Sequence, residues 1–293
     1  SCTTRRTTRG TPTISPATRA GSGRTSVRVT SFGIPDEGRP LGPGFVMFNY
    51  LRIFLTVAVL AGVGAGVVNW AVHMFGTTPL ILEAEVYENA GAAEDPAAAA
   101  TTADTTAHTH EAGTAEHEHD AEAWGPADGW ERNLYTLGAD VVTGVGYAFL
   151  LIAAIVFFGK GADWRRGLLW GLAGFASFSL APAFGLPPEL PGTEAAPLLD
   201  RQLWWIGTVV ATAGGLFAAA RLRNVYGYAI AVVLIAAPHI IGAPQPETPG
   251  ALAPEELEHK FILAAIATSL VFWVVLGALT GAFFKRYANE ATA

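Results

Sequence analysis

The chain has 293 residues, of which 51% are apolar and only 15% are charged, and its mean hydropathy is +0.35. Ordinary globular domains carry about 25% charged residues, so this composition argues against a soluble protein and favours a membrane protein. The net charge is −7, and the single cysteine, Cys2, excludes both a disulfide framework and a cysteine-based zinc site.

Residues 1–46 are rich in Thr, Ser, Arg, Gly and Pro, and no acidic residue precedes Asp36. Such a segment buries too little apolar surface to offset the entropy that ordering would cost. We therefore expect a disordered or spurious extension outside the fold, with Met47 as the natural start. The alternative is an organelle transit peptide, although the segment shows no amphipathic helical period.

Six apolar stretches follow, at about 51–75, 134–158, 168–184, 203–220, 225–241 and 261–284. A helix that crosses the hydrocarbon layer of a membrane needs about 20 mostly apolar residues. The sequence therefore predicts an all-α integral membrane protein over residues 47–293, with about six transmembrane helices.

The charges of the connecting segments predict the orientation, because cytoplasmic loops are enriched in Lys and Arg. If Met47 is cytoplasmic and the spans alternate, the cytoplasmic side holds Arg52, Lys160, Arg165, Arg166, Arg221, Arg223, Lys285 and Arg286. The outer side then holds only Arg132, Arg201 and Lys260. We expect both ends of the chain inside and the long loop at about 88–132 outside.

Glycines recur at a spacing of four residues within three of the predicted spans. The pairs are Gly62 and Gly66, Gly167 and Gly171, and Gly277 and Gly281. Small residues at this spacing let two helix backbones approach closely in lipid. The pattern predicts sites of helix–helix packing, and the alternative is chance in a glycine-rich chain.

The outer loop is dominated by histidine and acidic residues between 105 and 122. Its candidate metal ligands are His108, His110, Glu111, His117, Glu118 and His119. Imidazole binds borderline transition metals, and alternate residues of an extended chain lie on one side of it. The pattern predicts capture of a divalent metal; the alternative is a soluble acidic linker with incidental histidines.

Polar residues within or beside the spans form a second group of candidates. They are Asn69, His73, Glu83, Glu85, Asp140 and His239. Ionisable groups inside a membrane are costly and often mark an ion pathway. Asn69 and His73, four residues apart, share one helix face. We expect these six residues around an outward-facing vestibule; the alternative is that each is hydrogen-bonded locally at the membrane interface.

Several catalytic motifs do not occur in the sequence. There is no G-x-x-x-x-G-K-[ST], H-E-x-x-H, G-x-S-x-G or C-x-x-C-H pattern, which are typical of P-loop ATPases, zinc proteases, hydrolases and c-type haem attachment. The chain is not expected to be an enzyme.

The distinctive segments, in chain order, are TTPLILEAEVYE, WGPADGWERNLYTLGADVVTGVGYA, RRGLLWGLAGFASFSLAPAFGLPPELPG, DRQLWWIGTVVATAGG, PHIIGAPQP and FWVVLGALTG. Together they resemble the CbtA family of cobalt transporter subunits, from Met47 to Arg286. The resemblance implies cobalt uptake linked to cobalamin synthesis, in a prokaryotic inner or plasma membrane, with a small single-span companion subunit, CbtB. It also implies five spans, whereas separating the fourth and fifth at RLRN gives six.

We therefore expect a transition-metal uptake permease subunit with no tightly bound cofactor. The outer loop would capture Co²⁺, or else Ni²⁺ or Zn²⁺, and pass it to the polar residues of the helices. One alternative is a metal-binding or sensing accessory subunit that transports nothing alone. A less favoured alternative is an integral-membrane metalloenzyme, because a low-complexity loop holds a preorganised metal site poorly.

Overall fold

The computed structural model describes residues 43–94, 126–158 and 163–290. Its main helices are α1 (Pro43–Phe75), α2 (Thr78–Glu94), α3 (Trp130–Phe158), α4 (Trp164–Phe175), α5 (Leu198–Leu222), α6 (Val225–Ile241) and α7 (Glu255–Glu290). Among these described residues there is no β-strand, and one isolated bridge joins Thr193 to Ala251. The predicted all-α class is confirmed.

Four helices are long and apolar enough to cross a membrane. They are Phe48–Phe75, Trp130–Phe158, Leu198–Leu222 and Glu255–Ala288. α6 is apolar but has 17 residues, and α4 is interrupted before it reaches that length. Several helices, moreover, expose large apolar side chains, as expected for surfaces that face lipid. Four of the predicted spans thus correspond to candidate membrane-spanning helices, whereas the count of six stays a prediction.

A four-helix bundle of α1, α3, α4 and α7 forms the centre of the molecule. Each of these helices runs antiparallel to the neighbour on which it packs, as the contacts of α1 with α3 and of α4 with α7 show. The side chains of Val57, Ile152 and Leu276 are fully buried between them. In this packing α1 also contacts α7, and residues of both helices line the polar cavity described below.

All three predicted glycine pairs lie where backbones touch. A Cβ atom on Gly66 would stand 2.6 Å from Val141 Cα, and one on Gly277 would stand 2.8 Å from Gly171 Cα. Real Cβ atoms do not approach so closely, so no other residue fits without a shift of the helices. The prediction that these glycines mediate helix packing is confirmed.

The third predicted span, 168–184, is helical but not uniform. It begins as α4 at Trp164, widens into a π turn at Ala176–Leu180 and ends in a short turn at Ala181–Ala183. In the wide turn, the Ala181 N–H donates to the Ala176 carbonyl, five residues back. Pro182, the next residue, has no N–H to donate. A regular helix would therefore also lack one hydrogen bond at this position, directly after the π turn.

α2 is a helix that the sequence analysis did not predict. Pro79 cannot donate to the Phe75 carbonyl as a continuous α1 would require, although proline is tolerated in the first turn of a new helix. The chain therefore breaks at Gly76–Thr77 and starts again at Thr78. The buried side chain of Ala84 then packs against Leu257 and Phe261 at the start of α7.

α5 and α6 form a hairpin that attaches to the bundle near the π turn. The connection is tight because Arg223 adopts a left-handed conformation, with φ of 49°, and Asn224 caps α6 by accepting a hydrogen bond from the Gly227 N–H at 2.9 Å. RLRN therefore separates two distinct helices, as the sequence predicted.

Candidate functional site

Three of the predicted polar residues meet between α1 and α3. The Asn69 Nδ2 group donates a hydrogen bond to Asp140 Oδ1 at 2.8 Å. The His73 Nε2 atom lies 3.9 Å from the same oxygen. Asn69 and His73 do share one helix face, and that face turns toward the carboxylate of α3.

The break after α1 holds the histidine in place. His73 Nδ1 and Thr77 Oγ1 are 2.6 Å apart, within hydrogen-bonding distance, and the Thr77 N–H donates to the His73 carbonyl at 3.2 Å. Thr77 is almost completely buried. Because Nδ1 is engaged by Thr77, the other ring nitrogen is left to face Asp140.

Glycine makes the approach of α1 to α3 possible. Gly66 precedes Asn69 by three residues and therefore lies on the same face of α1, one turn earlier. A Cβ atom at Gly66 would stand 2.7 Å from the Asp140 carbonyl oxygen. The same residue that packs the two helices thus brings the Asn69 amide within reach of Asp140.

The cluster opens into a cavity of about 300 Å³ between α1, α3, the π turn and α7. Its polar lining consists of Asn69, His73, Thr77, Thr143, Tyr147, Ser179, Thr268 and Ser269. The hydroxyl groups were not among the predicted site residues. The sequence signal for them was available, since all but Thr77 occur inside otherwise apolar spans.

The π turn supplies Ser179 to this cavity. Ser269 Oγ donates to Ser179 Oγ at 2.7 Å, and the Trp273 indole N–H donates to the same oxygen at 3.1 Å. Both partners belong to α7. The wide turn therefore joins α4 to α7 through hydrogen bonds at the level of the cavity.

Two buried oxygen atoms of the cluster have no hydrogen-bond partner, namely Asn69 Oδ1 and Asp140 Oδ2. Most buried polar atoms in proteins are satisfied, and an unsatisfied one costs free energy. With His73, these oxygens offer nitrogen and oxygen donors to a cation. In the part of the chain that the structure describes, no group of three or more His, Cys, Asp or Glu side chains is arranged to hold a metal.

Glu83 and Glu85 lie on α2, which follows the C-terminal end of α1. Arg132 binds Glu85 in a two-pronged ion pair, with Nη1 and Oε2 at 3.0 Å and a second contact between Nη2 and Oε1. Arg132 also contacts Asp128 at 3.2 Å. Glu83 is exposed to solvent. Glu85 therefore ties α2 to the start of α3.

His239 lies apart from the cluster, in the hairpin. Its ring makes edge contacts with Trp204 and Phe184, with centroids 5.8 Å and 6.3 Å away. The Trp204 indole N–H donates to the carbonyl of Pro238 at 3.1 Å. The structure thus brings together Asn69, His73 and Asp140, and it does not place His239 on the same cavity.

The predicted ligands of the outer loop lie outside the described residues. They are His108, His110, Glu111, His117, Glu118 and His119. Their role in metal capture stays a prediction.

Long apolar helices around a partly buried carboxylate, imidazole and amide define a class: a helical membrane protein with a polar cavity between its spans. The chain matches, over residues 51–285, the model of a family described as probable cobalt transporter subunit (CbtA), and it belongs to that family. Comparison with curated proteins and with solved structures found no match.

Proposed function

We propose that the chain is the multi-pass subunit of a cobalt uptake system in a prokaryotic plasma membrane, and that Asn69, His73 and Asp140 lie on the path of the cation. The observation that carries the proposal is the meeting of these three side chains beside a cavity that Asn69 and His73 line, with two oxygens left without partners. Membership of the family supplies the substrate class.

The ligand chemistry suits a cation that passes through. Imidazole nitrogen together with carboxylate and amide oxygen suits Co²⁺, Ni²⁺ or Zn²⁺, and affinity in such sites does not by itself favour cobalt. Conduction requires binding strong enough for entry and weak enough for release. One histidine and one carboxylate, supplemented by amide and hydroxyl oxygens, fit that requirement better than a closed set of four strong ligands.

The route we propose starts outside the membrane. The histidines of the outer loop raise the local metal concentration and pass the cation to Glu83, which is exposed on α2, the helix whose Ile81 lines the cavity. His73 and Asn69 occupy the last two turns of α1, so the cavity lies in the outer half of the membrane if the start of α1 is cytoplasmic. With six spans and both ends inside, the membrane potential would favour entry by about 2.3 kcal/mol per charge per 100 mV.

The companion subunit is part of this proposal. We propose a small single-span, CbtB-like partner, with cobalt delivered to cobalamin synthesis. The rival function is a metal-binding or sensing subunit that transports nothing by itself. The two differ in whether this chain alone moves metal.

The test is uptake of labelled cobalt, nickel and zinc by cells that express the chain with and without its companion. We expect cobalt uptake that depends on this chain and is lost in Asp140→Asn at unchanged membrane abundance. Uptake that requires the companion but is indifferent to Asp140→Asn and His73→Gln would refute the proposed path and favour the accessory function.

A further inference from the structure

A second, apolar cavity of about 530 Å³ lies between the bundle and the hairpin, at the opposite end from the polar cavity. α3, α4 and α5 form its walls, and Trp273 of α7 closes its back. It is a groove, because lining residues such as Leu150 and Leu169 are largely exposed. It shares no bounding residue with the polar cavity except Trp273.

Small side chains create this space. Ala154, Ala173 and Ala213 face it from the three helices. At the edge of the groove α3 meets α5, where the rings of Phe158 and Phe217 lie with centroids 4.9 Å apart. The groove is therefore a gap between two separately packed parts of the molecule, and most of its lining residues are apolar.

The depth of the groove matches one leaflet of a bilayer. Along α4 and the start of the π turn it extends from Arg166 to Ser177, which is eleven steps of 1.5 Å or about 17 Å. The hydrocarbon core of a membrane is about 30 Å thick, so one leaflet contributes about 15 Å. At the end of the groove farthest from Arg166 and Arg223, Phe178 packs against Trp205 with ring centroids 6.0 Å apart. A transmembrane helix passes through both leaflets and is therefore about twice as long as the groove.

Two arginines stand at the mouth of the groove, Arg166 on α4 and Arg223 at the end of α5. The Arg223 Nε–H donates to the Ala220 carbonyl at 3.2 Å, which holds that side chain beside the groove. Guanidinium groups bind phosphate through paired hydrogen bonds. The lining thus combines an apolar slot one leaflet deep with a positively charged rim.

We propose that this groove binds an anionic phospholipid of the cytoplasmic leaflet, with its phosphate at Arg166 and Arg223 and an acyl chain along α4. The cytoplasmic placement rests on the orientation given under the proposed function, and that leaflet is a source of anionic headgroups. The bound lipid would fill the gap between bundle and hairpin and hold the two parts together.

The first test is lipid binding to the purified, delipidated full chain in detergent, followed by native mass spectrometry with phosphatidylglycerol and phosphatidylcholine. We expect phosphatidylglycerol to be retained in preference to phosphatidylcholine. The variant Arg166→Gln/Arg223→Gln should lose at least about tenfold in affinity, which is about 1.4 kcal/mol. Its matched control is Arg165→Gln/Arg221→Gln, which removes the same charge from the same helix ends but outside the groove.

Equal losses in both double variants would overturn the proposal, because they would show attraction to a diffuse basic surface. Equal retention of the two lipids would also overturn it. In the third arm, glycerol phosphate, which has no acyl chains, competes with phosphatidylglycerol for the protein. Complete displacement of the lipid by glycerol phosphate would show that the site binds a free phosphate instead of a lipid.

The second test leaves the arginines intact and fills the slot. Ala213→Phe should abolish the selective retention of phosphatidylglycerol. The control Val210→Phe, which introduces the same side chain at an exposed position of α5 outside the groove, should not. Normal lipid binding by Ala213→Phe would overturn the assignment of the acyl chain to the groove. Since neither test involves cobalt, failure of the proposed transport function would leave these results unchanged.

Discussion

The bundle and the hairpin solve the problem of packing helices in lipid in different ways. In the bundle, glycines on facing helices allow backbone to meet backbone, as at Gly171 and Gly277. In the hairpin, α5 and α6 meet through Thr208, Thr212 and Gly215, and a Cβ at Gly215 would still stand 3.1 Å from its nearest neighbours. The bundle is therefore the more tightly fitted of the two.

The difference bears on where chemistry is possible. Asn69, His73 and Asp140 lie beside the close contact that Gly66 makes between α1 and α3, and each side chain is fixed by a neighbour on the other helix or in the break after α1. In the hairpin, Thr208 donates to the backbone carbonyl of Trp204. Close packing is thus what allows the bundle to keep polar side chains facing one another across helices.

The largest expected effect comes from adding one methyl group at the α4–α7 contact. Gly171→Ala should destabilise the bundle by about 3 kcal/mol or more, because the new Cβ meets backbone that cannot turn aside. Gly207→Ala in the hairpin meets nothing within 4 Å and should stabilise α5 by up to about 1 kcal/mol. Thermal unfolding of both variants in detergent measures the contrast, and equal melting temperatures would contradict it.

The second comparison concerns transport. Asp140→Asn keeps the shape of the side chain and removes its charge, so cobalt uptake should fall about a hundredfold, equivalent to about 2.7 kcal/mol. His239→Gln should lower uptake by a smaller factor, because His239 lies in the hairpin against Trp204 and not with Asn69, His73 and Asp140. Initial uptake rates at saturating cobalt, corrected for protein abundance, provide the measurement. A larger loss in the His239 variant would move the path to the hairpin.

Two tryptophans provide a matched pair for stability. Each donates one indole hydrogen bond, Trp273 to Ser179 and Trp204 to the Pro238 carbonyl. Trp273→Phe should cost about 2 kcal/mol, since this side chain is 2% exposed and its loss also leaves a cavity. Trp204→Phe should cost about 1 kcal/mol. Thermal unfolding in detergent measures both losses of stability. A larger loss for Trp204→Phe than for Trp273→Phe would contradict the conclusion that the bundle is more tightly packed than the hairpin.

The smallest effects are expected at the helix caps. Asp163 caps α4 by accepting a hydrogen bond from the Arg166 N–H at 2.9 Å, as Asn224 caps α6. That backbone hydrogen bond, together with nearby positive charge, holds the pKa of the Asp163 carboxyl below its ordinary value. Replacing either residue by alanine should lower the melting temperature by about 2–4 °C.

Only the Asp163 cap should respond to acid. Because its pKa is lower in the folded protein, the stabilisation is complete above the ordinary carboxyl pKa of about 3.9 and is lost as the pH falls through the folded value. The melting temperatures of wild type and Asp163→Ala should therefore converge at low pH. The gap between wild type and Asn224→Ala should be unaffected by this titration, and an identical pH response would exclude the carboxylate as its cause.

Local periodicity was sufficient to predict much of this architecture. Spacing alone placed Asn69 and His73 on one face, and the four-residue glycine repeats marked the helix contacts. Asp140 was recognisable because a carboxylate inside an apolar helix requires a partner. The hydroxyl residues of the cavity carried a weaker signal, since a serine or threonine in a membrane helix often bonds its own backbone.

Features that depend on tertiary arrangement were not accessible in this way. The location of His239 depends on how the hairpin docks beside the bundle, which α6 does not encode by itself. The pairing of Glu85 with Arg132 joins residues far apart in sequence. α2 forms because its few apolar residues find a surface on α7, and neither segment shows that complementarity alone.

The wide turn at Ala176–Leu180 has a consequence for the length of the chain. Gly174 faces the Trp273 ring, and Ser179, five residues later, accepts a hydrogen bond from the same tryptophan. In a regular helix, with about 100° per residue, positions five apart point about 140° away from each other. The one extra residue in the turn removes about 100° of that rotation and leaves about 40°, so that Gly174 and Ser179 both face α7. A one-residue deletion in this turn should therefore be more disruptive than most substitutions, because it would rotate Gly174 and Ser179 relative to each other and separate one of them from Trp273.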